Sequence, residues 1–115
     1  MKKFMFATAL MTVVAAGAYA QYAGPTSTVA ITSVKQILAK PIDDHPVMIE
    51  GYVTKKLGGE EYTFADETGE IRAEIDDKLF IGLTIDDKTR VQVIGEVDTS
   101  LFRTPEIDVE SIRAI

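Results

Sequence analysis

Apolar residues occur at every second position in five segments beyond residue 46, which is the period of a β-strand with one buried face. We therefore predict strands over residues 47–54, 61–65, 70–76, 89–97 and 106–115. In the third segment, Ile71, Ala73 and Ile75 face inward and alternate with charged residues. Gly51 and Gly95 also occupy inward positions, where a mid-strand glycine usually marks a bend at the corner of a barrel.

The segment before these strands has helical spacing instead. Ser33 is a typical N-cap residue, and apolar residues follow it three and four positions apart. This spacing predicts a short helix through about residue 39, with an apolar stripe that consists of Val34, Ile37 and Leu38. Pro41 then ends the helix, because proline cannot continue its hydrogen bonding.

The connections between the strands differ in kind. Short loops or turns are predicted over residues 55–60, 66–69 and 98–105. In the second of these, Gly69 is expected to supply a positive φ. Residues 77–88 contain apolar residues that fit neither period, so we predict an irregular or short helical connection packed over one end of the sheet. Ile112 is out of phase with the apolar residues before it, which predicts a β-bulge near Ser111.

Three strands, a longer connection and two further strands form the order of a five-stranded OB-fold barrel. The predicted fold class is therefore all-β, with one short N-terminal helix. Periodicity gives strands but not their spatial order, so an SH3-like barrel or a small open sandwich is also compatible with the pattern. The chain of 115 residues contains no cysteine, so its apolar core alone must stabilise the fold.

The N-terminal residues are typical of a secretory signal peptide. Lys2 and Lys3 precede an apolar run over residues 4–16, and Ala18-Tyr19-Ala20 supplies the small residues that signal peptidase requires. We predict cleavage after Ala20 and a periplasmic mature protein without stable membrane insertion. A retained membrane anchor is the alternative, because the uncharged stretch approaches the shortest length that spans a bilayer. The predicted boundaries are a signal peptide over residues 1–20, a flexible leader over 21–32 and an OB-fold domain over 33–115.

The charge balance argues against one class of partner. The chain has 18 acidic and 12 basic residues and a formal net charge of −6, and loss of the two N-terminal lysines would leave −8. Nucleic acids are bound mainly through basic patches that neutralise phosphates. We therefore expect no nucleic-acid partner.

Catalytic and metal-binding patterns are weak in this sequence. Acidic pairs occur at Asp43-Asp44, Asp76-Asp77 and Asp86-Asp87, but no calcium-loop motif surrounds them, so we interpret them as turn residues. His45 is the only histidine, and a transition-metal site would need further histidine or cysteine ligands. No motif for a nucleophile, a metalloprotease or a phosphate loop is present. We predict neither catalysis nor a metal or other cofactor.

Candidate binding residues lie on the outward face of the predicted sheet and in two of its loops. OB folds bind ligands across strands two and three and between the loops that join strands one to two and four to five. Those elements contain Tyr52, Thr63, Arg72 and Glu74 on the face, and Lys55, Lys56, Phe102 and Arg103 in the loops. An exposed tyrosine beside charged groups suits a sugar ring or an organic cation. Outward strand positions are polar by default, however, and a sheet without any ligand has the same pattern.

Several stretches together resemble the bacterial OB-fold (BOF) family of periplasmic stress-tolerance proteins. They are residues 50–53, 62–66, 69–71, 74–77, 93–98 and 106–109. The resemblance implies a periplasmic OB fold, proposed to bind small cationic or neutral molecules rather than nucleic acid, with no established enzymatic activity. The family often has tryptophan where this chain has Phe80 and in the loop before the last strand. Because this chain has no tryptophan, the ligand's identity is not carried over.

Two functional hypotheses follow. The first is a non-catalytic periplasmic binding protein for a small cationic or neutral ligand or an envelope saccharide, which contributes to envelope stress tolerance. The second is a protein-interaction or structural factor of the envelope stress response, in which the loop over residues 98–105 and an edge strand contact a partner protein.

Overall fold

The computed structural model describes residues 29–100 and 103–115. The predicted signal peptide, residues 21–28 of the predicted leader and the candidate residue Phe102 therefore lie outside the described residues. No helix in the described part is long and apolar enough to cross a membrane. The elements are α1 (Val34–Ala39), β1 (Pro46–Gly58), β2 (Glu61–Asp66), β3 (Gly69–Glu74), a 3-10 helix (Asp77–Phe80), β4 (Val91–Ser100) and β5 (Arg103–Ala114).

The five strands form a closed barrel in the order β1-β2-β3-β5-β4. All pairs of neighbouring strands are antiparallel except β3 and β5, which run parallel over three residue pairs from Arg72–Glu106 to Glu74–Asp108. This arrangement confirms the predicted five-stranded OB-fold barrel with one short helix. The open sandwich is excluded because the sheet closes on itself.

The core consists of the inward residues that the alternating pattern predicted. Its fully buried members include Ile49, Phe64, Ile75, Val91, Val93 and Ile107. The two inward glycines allow strands to approach closely. A Cβ atom at Gly51 would lie 2.2 Å from the carbonyl oxygen of Ala65, and one at Gly95 would lie 2.3 Å from that of Asp108. The predicted role of these glycines is thus explained by backbone contact at the barrel's bends.

The helix α1 begins as predicted, at a capping box in which Ser33 and Gln36 bind each other's backbone N–H groups. Val34 and Ile37 are buried against the barrel. Leu38 was predicted to share their stripe, but 40% of it is exposed. A helix of six residues covers too small an arc of the barrel to bury a third apolar position. Just before the helix, Ile31 forms a parallel bridge with Met48 of β1.

Two predicted connections are shorter than expected. Strand β1 continues to Gly58, so Lys55 and Lys56 lie on a strand and not in a loop. Strand β4 continues to Ser100, which pairs with Arg103 at the start of β5, and this replaces most of the loop predicted over residues 98–105. Charged side chains do not end a strand whose outer face is in water, so the polar pattern gave the wrong boundaries.

The turn between β2 and β3 also differs from its prediction. Gly69 does not have a positive φ, and Asp66 and Gly69 pair directly across a two-residue turn. Elsewhere the expected irregularities are present. A 3-10 helix begins the connection after β3, and Leu79, Phe80 and Ile85 from this connection pack against the core. The bulge predicted near Ser111 is confirmed, because Ile94 pairs with Ser111 while the next residue pairs with Val109.

Candidate functional site

The structure brings three of the candidate residues into one row across the outer face of the barrel. Lys55 on β1 pairs with Thr63 on β2, which pairs with Arg72 on β3. Arg72 in turn pairs with Glu106 on β5, which pairs with Asp98 on β4. An irregularity between Val53 and Lys55 places Lys55 on the outer side, since it shifts the register of β1 by one residue.

A second row, beside the first, consists of carboxylates on four consecutive strands. Glu61 pairs with the candidate residue Glu74, Glu74 pairs with Asp108, and Asp108 pairs with Glu96. We call the outward surface formed by these two rows on β2, β3, β5 and β4 the acidic face. Its carboxylates are Glu61, Glu74, Glu96, Asp98, Glu106 and Asp108. Only Glu74 was identified from the sequence, because the β3–β5 pairing that assembles the rest has no local signal.

Two members of the acidic face have raised pKa values. Burial, followed by repulsion from Asp108 and Glu61, raises the pKa of Glu74 above its ordinary value. Repulsion from Glu110, followed by burial, raises the pKa of Glu96. Like charges in register on neighbouring strands destabilise a sheet. A positively charged ligand would relieve this repulsion.

Two arginines neutralise part of the acidic face. Arg72 Nε lies 3.7 Å from Glu61 Oε1, and Arg103 Nη2 lies 3.6 Å from Glu106 Oε2. Both contacts are ion pairs that are too long for hydrogen bonds. Glu61 Oε1 and Glu106 Oε1 are buried and have no hydrogen-bond partner among the described residues. The face therefore contains buried acceptor oxygens that a donor could satisfy.

The other candidate residues lie apart from the acidic face. Tyr52 is 36% exposed and lines a groove of about 290 Å³ whose other polar lining includes Glu50, Thr68 and Arg90. Arg90 Nη2 lies 3.3 Å from Glu50 Oε1, so this charge pair borders the tyrosine. The groove combines an aromatic surface with polar groups at its edge, which is a common form of small-molecule site.

Lys56 belongs to a different cavity. Its Nζ lies 5.7 Å from the ring centroid of Tyr62, whose ring is in turn 5.6 Å from that of Phe80. This contact is within the range of a cation–π interaction. The cavity has a volume of about 290 Å³ and is also lined by Asp86 and Asp87. Lys55 lines the same cavity, so the two candidate lysines adjoin each other there, whereas Tyr52 lies in the other groove.

Two of the acidic pairs lie in or beside turns, and Asp76-Asp77 lies at the start of the 3-10 helix. The first aspartate of each pair accepts a backbone N–H. Thr99 N donates to Asp43 at 2.9 Å, Lys78 N to Asp76 at 2.8 Å and Lys88 N to Asp86 at 2.9 Å. Within residues 29–100 and 103–115, no three histidine or acidic side chains are grouped so that they could hold a metal ion.

A sequence model described as the bacterial OB fold (BOF) protein family matches residues 11–114. The calcium-regulated OB-fold protein CarO of Pseudomonas aeruginosa is 45% identical over 96 residues, which cover 84% of this chain and 81% of that protein. Protein YgiW of Escherichia coli K12 is 31% identical over 131 residues and covers 100% of this chain and 98% of its own length.

Solved structures agree with these relatives. The structure of YgiW from E. coli superimposes with a TM-score of 0.70 at 32% identity, over 84% of this chain and 100% of that one. The telomere-capping protein Ten1 of Saccharomyces pombe has a TM-score of 0.59 at 14% identity, over 76% of this chain and 81% of Ten1, and this likeness concerns the fold alone. With its closed barrel, its carboxylate-lined outer face and a family match along nearly its whole length, this chain belongs to the bacterial OB-fold (BOF) family.

Proposed function

We propose that this protein is a non-catalytic binding protein of the bacterial envelope, and that its acidic face binds a small cationic ligand. The observation that carries the proposal is the row Glu61–Glu74–Asp108–Glu96, which places four carboxylates in register on consecutive strands. A ligand with several ammonium groups would lie along this row and relieve the repulsion between its members. A phosphate backbone would be repelled by the same row.

The envelope location and a role in stress tolerance complete the proposal. The location is supported by the basic start, the apolar run and the small residues that precede Gln21. The relatives are named as OB-fold or otherwise unassigned proteins rather than as enzymes, which supports a binding role. The name of the P. aeruginosa relative refers to regulation by calcium. We propose an organic cation as the ligand of this chain.

Calorimetric titration of the purified protein with spermidine tests this function. We expect binding that weakens as salt is added, because both partners are charged. The double variant Glu74→Gln/Asp108→Asn should weaken binding about tenfold. Glu67→Gln, in the turn between β2 and β3, removes one exposed carboxylate outside the acidic face and serves as the matched control. Equal binding by both variants would show that the acidic face is not the site.

The groove at Tyr52 supports a second candidate ligand, an envelope saccharide. Its exposed ring and the neighbouring Glu50–Arg90 pair offer a stacking surface and hydrogen-bonding groups for a sugar. Titration with soluble peptidoglycan fragments should shift the NMR signals of Tyr52 and Arg90, and Tyr52→Ala should abolish the shift of Arg90. If the signals do not move, a saccharide is not bound in this groove.

The protein-interaction hypothesis stays a prediction, although two features that it invoked are absent from the described residues. It required an edge strand, whereas the sheet closes on itself, and a long loop over residues 98–105, whereas strands β4 and β5 occupy most of that segment.

A further inference from the structure

Glu61 and Glu106 form a pair of carboxyl groups that the rows of the acidic face do not explain. Glu106 is on the outer side of β5, yet only 8% of it is exposed. Both carboxylates flank Arg72, because Glu61 Oε1 lies 3.7 Å from Arg72 Nε and Glu106 is the residue of β5 that pairs with Arg72. Carboxylates only accept hydrogen bonds when they are ionised. Each has a buried Oε1 atom without a donor among the described residues. Two ionised carboxylates in this position would repel each other and leave both oxygens unsatisfied.

The charges around the pair favour retention of a proton. Burial and then repulsion from Glu61 raise the pKa of Glu106, and Arg103 opposes this only in part. The neighbouring charged groups come from every adjoining element. They are Glu60 in the turn before β2, Arg72 and Glu74 on β3, Arg103 and Asp108 on β5, Asp98 on β4, and Lys55 of β1 at the far end of the row. Carboxylates outnumber the two nearby arginines, so the local potential is negative.

We propose that Glu61 and Glu106 share one proton when the acidic face is empty, and that a ligand ammonium group displaces it. The proton then passes to solvent, and the ammonium N–H groups donate to the two buried oxygens in its place. Binding of the cation and release of the proton are thus coupled at this pair. The ligand half of the inference rests on the proposed function, whereas the shared proton is independent of it.

The shared proton is tested on the protein without ligand, by following the carboxyl carbons of its glutamates by NMR as the pH changes. Glu106 should titrate above the ordinary value of a glutamate carboxyl. Glu70 is exposed on the same side of β3 and provides a control position. Glu61→Gln should lower the titration midpoint of Glu106, because repulsion is lost and an amide donor is gained. The matched control Glu70→Gln should leave it unchanged. If Glu106 titrates at the ordinary value of a glutamate in the unaltered protein, no proton is shared and the proposal is wrong.

The exchange is tested by calorimetry with spermidine in two buffers of equal pH and different ionisation enthalpy. We expect the measured heat to differ between the buffers, because a proton is released, and affinity to fall as the pH is lowered through the midpoint of Glu106. Glu106→Gln should abolish both effects. If spermidine binds near that midpoint without releasing a proton, the proposed exchange is wrong. If spermidine does not bind at any pH, the exchange and the cationic-ligand function both fail, and the NMR result still decides whether the proton is shared.

Discussion

Asp66 has a structural role that its sequence position does not reveal. In the sequence it is one of several polar turn residues, but its Oδ2 accepts the backbone N–H of Val34 at 2.9 Å, 32 residues away. Its Oδ1 accepts the N–H of Thr68 at 2.8 Å and that of Gly69 at 3.1 Å. Lys35 N donates to the Thr68 hydroxyl at 3.0 Å. The first turn of α1 is thus fixed to the β2–β3 turn through one carboxylate.

We expect Asp66→Asn to lower the free energy of unfolding by about 1–2 kcal/mol at neutral pH, because charge-assisted hydrogen bonds are lost. Burial raises the pKa of Asp66, but the hydrogen bonds from Thr68, Val34 and Gly69 outweigh burial and hold it below its ordinary value. A lowered pKa stabilises the fold above the unfolded-state pKa, and this contribution disappears as the pH falls through the folded-state value. Urea denaturation should therefore show the variant's deficit shrinking in acid. Glu67→Gln, one residue away, should change little at either pH.

The contribution of Glu106 to stability should depend on pH in the opposite direction to that of Asp66. Its pKa is raised, so its contribution to stability is present below the unfolded-state pKa and is lost as the pH rises through the folded-state value. Glu106→Gln should therefore be more stable than the unaltered protein at neutral pH, by about 1 kcal/mol, because the amide can donate to Glu61. The difference should vanish at low pH. Thermal unfolding across this pH range measures both effects, and a variant that is less stable at neutral pH would contradict the argument.

At the scale of elements, the alternating pattern predicts inward residues better than strand ends. Apolar positions such as Ile49 and Val93 are inward because the strand period is two, and they are buried as predicted. The ends of β1 and β4 were misplaced because outward lysines and aspartates continue a strand as readily as they form a loop. The acidic face was missed because the parallel pairing of β3 and β5 joins residues that are far apart in sequence. In the row Glu61–Glu74–Asp108–Glu96, only Glu74 was identified from the sequence.

The inward glycines provide a test at this scale. In Gly95→Ala the new Cβ would lie 2.3 Å from the carbonyl oxygen of Asp108, so backbone would have to move. We expect a loss of about 2–3 kcal/mol in the free energy of unfolding, as in overpacked cores. Gly69→Ala is the matched control, because its Cβ would meet only a Val34 methyl group at 3.5 Å. Chemical denaturation of both variants measures the difference, and equal stabilities would show that β4 and β5 can separate without cost.

For the whole molecule, the negative charge is concentrated rather than evenly spread. The formal net charge is −6, and six carboxylates share the acidic face with two ion-paired arginines. Self-repulsion of this kind destabilises a compact state and is weakened by salt. A phosphate backbone would be repelled by this concentration of carboxylates, which is the physical basis of our prediction that the protein does not bind nucleic acid.

We expect added sodium chloride to raise the unfolding free energy by roughly 1 kcal/mol between low ionic strength and about 0.5 M, because the repelling carboxylates are screened. The variant Glu74→Gln/Asp108→Asn should gain less from salt than the unaltered protein. Thermal unfolding at several salt concentrations gives this comparison. A stability that falls with salt would indicate that ion pairs dominate over repulsion.

The parallel contact between β3 and β5 is the shortest of the five strand pairings. Local opening of a native protein is easiest where the fewest hydrogen bonds must break. We therefore expect the barrel to open first between β3 and β5, along a line that we call the seam. Glu61 and Glu106 lie on opposite sides of the seam, and an ammonium group held by both would act as a clasp across it. Ligand binding should therefore slow deuterium uptake by the backbone amides of Ala73 and Ile107.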